Sequence, residues 1–192
     1  MMTLDGILPF ARILLEKCVK EGSIAVDATA GNGHDTLFLA KRVGKNGRVY
    51  AFDIQEQAII NTKKRLQEAN EQEQVVLISD GHEKLKNYIA KEHFGKIHGA
   101  IFNLGYLPGS DKTVTTRPET TIAAVEELLD ILAVGGLIVL VIYHGHEEGK
   151  IEKEALLKYL QKLPQEKAHV LKYEFINQKN CPPFIIAIEK RM

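Results

Sequence analysis

The sequence predicts a doubly wound α/β fold: a seven-stranded sheet, mostly parallel, with an antiparallel hairpin at its C-terminal end and helices on both faces. Three observations predict it. β-rich runs alternate with helix-patterned ones through the first 143 residues. A turn bearing two glycines joins the first of those strands to the helix that follows it. After a last amphipathic helix, two β-rich runs follow one another with no helix between them.

Taken in order, the chain opens with a leading helix within 3–20, where Leu8, Ala11, Leu14, Leu15 and Cys18 recur at helical spacing and Pro9 limits how early a regular helix can begin. Strands are expected at 23–27, 47–53, 75–79, 97–102 and 135–143, and helices at 34–43, 55–70, 82–93 and 118–133. In 55–70, Ala58, Ile59, Thr62, Leu66 and Ala69 share one face while Lys63, Lys64, Glu68 and Asn70 fall elsewhere, so that face should pack on the sheet. A helix at about 151–163 precedes the β-rich runs 168–177 and 184–189, which can pair antiparallel at one sheet edge. Glycine and proline cluster only at turns, and there is no repeat or linker, so residues 1–192 are expected to form one domain.

Composition narrows the function classes. With 25 Lys+Arg against 25 Asp+Glu the formal charge is zero, which excludes long-range capture of nucleic acid and requires that any polyanion be held locally. Cys18 and Cys181 form neither a paired framework nor C-x-x-C spacing, which suits a reduced compartment. There is no basic leader before an apolar core and no run long enough to span a membrane, so a cytoplasmic protein without membrane contact is expected.

The segment Asp27-Ala-Thr-Ala-Gly-Asn-Gly-His-Asp-Thr36 carries the chemistry. Gly31 and Gly33 allow a tight turn beside a ligand, and the helix beginning near Thr36 offers free N–H groups to it. A structural turn with no ligand would need the same glycines. Asp53 closes the second strand 20 residues after Gly33, a spacing that suits a carboxylate gripping ribose hydroxyls. A dinucleotide fingerprint would place a third glycine where Thr36 stands. Asp27, at the end of the first strand, would repel a pyrophosphate but can receive an ammonium group, which favours an amino-acid-bearing cofactor.

Ligands of open α/β sheets bind beyond the carboxyl ends of the strands, and polar residues do gather there. They are Asp27, Gly31, Asn32 and Gly33, then Asp53 and Gln55, then Asp80, Gly81 and His82, then Asn103. Asp80 can equally cap the following helix, where Glu83 lies three residues on, and His82 can be an ordinary first-turn residue or stack on a base. The 15 residues from Asn103 to Arg117 have little apolar periodicity and include Tyr106, Pro108, Gly109, Asp111 and Lys112, which marks a functional loop. His144 and His146 follow the fifth strand; they suit a turn or a substrate contact, and no third ligand is spaced to complete a metal site.

With these residues in view, the chain resembles the Rossmann-like, class I S-adenosylmethionine-dependent methyltransferases, whose final hairpin brings the sheet to seven strands. Asn103-Leu-Gly-Tyr106 keeps the first and fourth places of the Asn-Pro-Pro-Tyr motif of amino-group methyltransferases, with Leu104 and Gly105 replacing both prolines. Together with Asn103-Leu-Gly-Tyr-Leu-Pro-Gly109, Thr115-Thr-Arg-Pro-Glu-Thr-Thr121 and Tyr143-His-Gly-His146, the glycine turn sharpens the resemblance to the rRNA methylase family, which includes bacterial tRNA 5-aminomethyl-2-thiouridine methyltransferases. The resemblance implies S-adenosyl-L-methionine as cofactor and N-methylation of 5-aminomethyl(-2-thio)uridine at the tRNA wobble position. It implies cofactor contacts from Asp27, Gly31, Asn32, Gly33, Asp35, Thr36, Asp53, Gln55, Asp80, Gly81, His82 and Asn103, with Asp80 accepting from the adenine amino group. Asn103, Tyr106, Asp111 and His144 are the candidates for handling the amine. An rRNA or small-molecule N-methyltransferase and a non-catalytic cofactor-binding RNA module are the alternatives. The expected partner is RNA, the tRNA anticodon arm first, bound by a homodimer.

Overall fold

A computed structural model describes residues 3–105 and 116–192. Its seven strands are β1 (Ile24–Asp27), β2 (Arg48–Phe52), β3 (Val75–Ile78), β4 (Ile97–Leu104), β5 (Leu132–Ile142), β6 (Ala168–Tyr173) and β7 (Phe184–Lys190). They form one sheet in the order β3-β2-β1-β4-β5-β7-β6. β1 pairs in parallel with both β2 and β4, while β7 runs antiparallel to β5 and to β6. Six strands therefore share a direction, and the expected hairpin places β7 inside β6. Among the described residues, no helix is long and apolar enough to cross a membrane.

β1 sits at the centre because every one of its residues is buried, which is what a strand covered on both faces requires. Successive residues point to opposite faces. Val26, with Phe52 and Phe102, packs under α4 (Leu85–Tyr88), α5 (Pro118–Ile131) and α6 (Glu147–Leu160). Ala25, Val49 and Ile101 pack under α1 (Ile7–Cys18) and α2 (His34–Val43), through Leu15 and Leu39. α3 (Glu56–Glu68) lies beside α2 and buries Ala58, Thr62 and Leu66, the face its periodicity marks. Strand order reverses between β1 and β4, so their carboxyl ends open a crevice.

The largest departure from the sequence reading is 82–93, which is a 3-10 turn at His82–Lys84, the short α4, and a second 3-10 turn at Lys91–His93. Its cause is a side chain on β2. Tyr50 is 5% exposed, and its buried hydroxyl takes a 3.3 Å bond from the Ala90 N–H and a 2.9 Å bond with His93 Nδ1. Meeting those bonds extends the backbone at Ile89 and ends the helix. Elsewhere the boundaries shift: α5 gives way directly to β5 at Leu132, α6 starts at Glu147, and β6 stops at Tyr173.

Candidate functional site

The turn after β1 is held from several sides. Ala28 N–H donates to Ile101 O of β4 and Ala30 N–H to Phe52 O of β2, each a neighbour of β1. Gly31 and Gly33 have φ of 54° and 76°, the left-handed region that glycine enters without cost. α3 closes the outer side: Thr62 Oγ1 donates to Gly31 O at 3.1 Å and Arg65 Nε to Asn32 O at 2.6 Å, while Asn61 Nδ2 meets Asn32 Oδ1 at 2.9 Å. These bonds occupy the outer carbonyls. The N-terminus of α2 has no side-chain cap, so its first-turn N–H groups remain available to an anion.

Asp53 sits just past β2 with its carboxylate fixed by two backbone amides, Gly31 N–H to Oδ2 and Gln55 N–H to Oδ1, both at 2.9 Å. Each oxygen keeps a lone pair, a rigid arrangement for receiving two vicinal hydroxyls. Asp27 lies deeper and is fully buried, with Oδ2 accepting from Thr36 Oγ1 at 2.6 Å and Oδ1 from Thr29 N–H at 3.1 Å. Burial, then the nearby Asp35 carboxylate, push its carboxyl up to about 7 against the pull of those two bonds. Asp27 therefore acts from beneath the turn.

Past β3, Asp80 Oδ1 accepts from Gly81 N–H at 2.8 Å and from Lys84 Nζ at 2.7 Å, while Oδ2 accepts from Tyr88 OH at 2.7 Å. The hydrogen bonds from Lys84 and Tyr88 lower its carboxyl to about 2. His82 is 8% exposed; Nδ1–H donates to Ala28 O at 2.9 Å and the ring meets Phe102 edge-to-face at 5.3 Å. Burial lowers the imidazole below its ordinary value, keeping it neutral, and the buried Nε2 acceptor has no partner among the described residues.

At the end of β4, Asn103 connects to the turn twice. Its N–H donates to Thr29 Oγ1 at 2.7 Å and its Nδ2 to Asp35 Oδ2 at 2.8 Å. The other Asp35 oxygen receives Arg12 of α1, from Nε at 3.1 Å and Nη2 at 2.9 Å. The guanidinium also lies 5.3 Å from the Phe38 ring centre. Tyr143, just beyond β5, senses the same group: burial and then the Asp35 carboxylate raise its phenol. The sequence reading singled out neither Arg12 nor Tyr143 as a site residue.

His144 packs its ring against Phe184 at 5.4 Å, and burial, then Lys153, lower its imidazole. His146 precedes α6 and bears on Glu152, a buried carboxylate that accepts from Thr116 Oγ1 at 2.6 Å and Thr121 Oγ1 at 2.7 Å. These bonds tie α6 to the start of α5, and Thr116 N–H returns to Gly105 O at 3.2 Å. Tyr106 and Asp111, with Pro108, Gly109 and Lys112, lie outside the described residues. The geometry thus brings Asp27, the glycine turn, Asp35, Thr36, Asp53 and Asn103 into one continuous hydrogen-bonded rim, flanked by Asp80 and His82 and with His144 further along β5.

That rim suits an adenosyl amino acid: a fixed carboxylate for hydroxyls, open helix amides for a carboxylate, and an unpartnered buried acceptor nearby. The comparisons agree. The family described as "Putative rRNA methylase" matches residues 49–189. A chloroplastic tRNA (mnm(5)s(2)U34)-methyltransferase of Arabidopsis thaliana is 35% identical over 188 residues, covering 94% of this chain and 68% of that protein. A crystal structure of a "putative rRNA-methylase" from Clostridium thermocellum is 46% identical with a TM-score of 0.94, covering 98% of this chain and all of that one. A "putative methyltransferase" from Streptococcus mutans, crystallised in complex with SAH, is 40% identical with a TM-score of 0.88, covering 98% of this chain and 99% of that one. The chain belongs to the rRNA methylase family and is an S-adenosylmethionine-dependent methyltransferase.

Proposed function

We propose that the chain methylates the exocyclic amine of 5-aminomethyl(-2-thio)uridine at the wobble position of tRNA. The observation that carries this reading is the bond from Asn103 Nδ2 to Asp35 Oδ2. A carboxylate salt-bridged to Arg12 only accepts, so the Asn103 amide must give it the NH2 group and turn Oδ1 the other way. An outward carbonyl oxygen is what an amine needs: accepting one N–H aims the nitrogen lone pair. The Arabidopsis relative, a tRNA methyltransferase by name, supports the choice of RNA.

The cofactor contacts follow the rim. Asp53 would take the ribose hydroxyls, Asp80 and the Gly81–His82 backbone the adenine edge, and the first-turn amides of α2 the amino-acid carboxylate. Bound S-adenosylmethionine supplies a methyl group already activated by its sulfonium. The chain's own residues align the amine, a placement effect worth on the order of 7–11 kcal/mol at best. The amine must arrive neutral, since an ammonium has no lone pair, and the proton it sheds after transfer passes to solvent or to His144, Tyr106 or Asp111. A wobble base lies in a single-stranded loop and reaches the rim without duplex opening. The same reading takes residues 1–192 as one domain, cytoplasmic and dimeric.

Mass spectrometry of nucleosides from cells lacking the protein tests the substrate. Accumulated 5-aminomethyl(-2-thio)uridine is expected. Unchanged tRNA nucleosides with a missing rRNA methylation would overturn the tRNA assignment and favour ribosomal RNA.

A further inference from the structure

Arg12 stands on the leading helix, outside the 49–189 span of the family match, and no residue near it in sequence carries a motif. α1 is nevertheless docked firmly, with Ala11, Leu14 and Leu15 buried against the sheet, so the position of Arg12 is set by the core. Its side chain is 43% exposed, yet the guanidinium is held on two sides, by Asp35 Oδ1 and by the Phe38 ring. Asp35 is only 13% exposed and faces a crowded acidic neighbourhood: Asp27 on β1 lies beneath it, and Tyr143 beyond β5 feels its charge. Among the described residues, Arg12 is the cation that forms an ion pair with Asp35, and the His34 imidazole on α2 also lies in the carboxylate's field.

An asparagine amide left to itself can present either end. Asp35 breaks that symmetry by accepting from Nδ2, and the charge-assisted bonds from Arg12 hold its carboxylate in the rotamer that does so. We infer that Arg12 is a positioning residue, acting through Asp35 to keep the Asn103 amide oxygen turned toward the target amine. Without it, the carboxylate loses its anchor and can rotate toward solvent, away from Asn103 Nδ2. The amide then has no fixed acceptor and can reverse, presenting NH2 where an oxygen is needed. The inference rests on the role proposed above for Asn103.

The test compares Arg12→Gln, Arg12→Lys, Asp35→Asn, the double variant R12Q/D35N and Asn103→Ala. The assay uses radiolabelled S-adenosylmethionine and bulk tRNA from cells lacking the protein. R12Q is expected to lower kcat about tenfold or more while KM for tRNA and Kd for S-adenosylhomocysteine stay within about twofold, with R12K recovering part of the loss. R12Q should add nothing in the D35N background, because its effect travels through that carboxylate. In 1H–15N spectra of the unliganded protein, the Asn103 side-chain amide should show one proton shifted downfield, and R12Q should abolish the shift. An equal R12Q loss with and without Asp35, or an unchanged Asn103 amide signal, overturns the inference. A fully active N103A would instead overturn the proposed role of Asn103, and the amide spectra would still report on Arg12.

Discussion

Asn103 Nδ2 donates to Asp35 Oδ2 at 2.8 Å, joining the end of β4 to the first turn of α2 across the mouth of the crevice. The bond ties the residue proposed to meet the substrate to the helix proposed to meet the cofactor. Asn103→Ala removes the outward oxygen and is expected to lower kcat about a hundredfold, as loss of one preorganised polar contact does. Asn103→Asp should be worse for stability, because it sets a second carboxylate against Asp35 above the buried Asp27. Single-turnover methyl transfer measures the first effect and urea unfolding the second. An N103A enzyme with unchanged kcat contradicts the assignment.

Asp53 predicts a different phenotype. Its two backbone amides hold the carboxylate whether or not a ligand is present, so the site is preorganised. Asp53→Ala removes an ionised acceptor, whose hydrogen bonds contribute about 1.5–3 kcal/mol, and leaves the Gly31 and Gln55 N–H groups without it. The expected result is a weakening of S-adenosylhomocysteine binding by roughly 10- to 100-fold in calorimetric titration. Undiminished affinity would remove Asp53 from the ribose site.

Gly33 shows how closely the turn and α3 approach. A Cβ there would lie 2.8 Å from Thr62 Cα, and the backbone φ of 76° disfavours any side chain. Gly22 has nearly the same φ, 77°, and a Cβ added to it would meet nothing within 4 Å, so it isolates the conformational cost. Gly22→Ala should cost about 1–2 kcal/mol. Gly33→Ala should cost at least about 2 kcal/mol more, since α3 must move and weaken the Thr62 and Arg65 bonds to the turn. Equal destabilisation of the two variants in urea would show that the approach of α3 is not limiting.

How much of this was legible in the sequence depends on range. The strands read clearly because central parallel strands buried on both faces, such as β1, are continuous apolar runs. Gly31, Gly33 and Asp53 read clearly because a turn's backbone needs and a strand's length fix their spacing. The break within 82–93 did not, since a hydroxyl on Tyr50, 40 residues before Ala90, causes it. Arg12 did not either: it is 23 residues from Asp35 and, along α1, looks like any partly exposed cation on an amphipathic helix. The packing of α1 on the sheet gives it meaning, and no local pattern encodes that. Glu152 is similar, a carboxylate in a Lys/Glu-rich helix that proves to be buried under two threonines.

Asp27 ties the site to the stability of the fold. Its carboxyl ordinarily titrates near 3.8, and in the folded protein burial and Asp35 raise it to about 7. Below about pH 4 the folded and unfolded chains both hold the proton and Asp27 costs nothing. Between about pH 4 and pH 7 the unfolded chain releases its proton while the folded chain keeps it, so stability falls as pH rises. Above about pH 7 both are ionised and the full penalty remains, on the order of 4 kcal/mol at most. Glu152, raised by burial, adds a slope of the same sign. In thermal unfolding, Asp27 and Glu152 thus impose a downward slope on the Tm of the unliganded protein from pH 5 to pH 8. His82 and His144, whose imidazoles burial lowers, add an upward one below about pH 6.5, so the Asp27 slope is read against Asp27→Asn. Asp27→Asn cannot ionise, so most of that slope should vanish whatever the substitution does to the absolute Tm. If the variant and the wild type lose stability in parallel over that range, the buried carboxylate is already ionised at pH 5 and the crevice is wetter beneath the turn than its packing indicates.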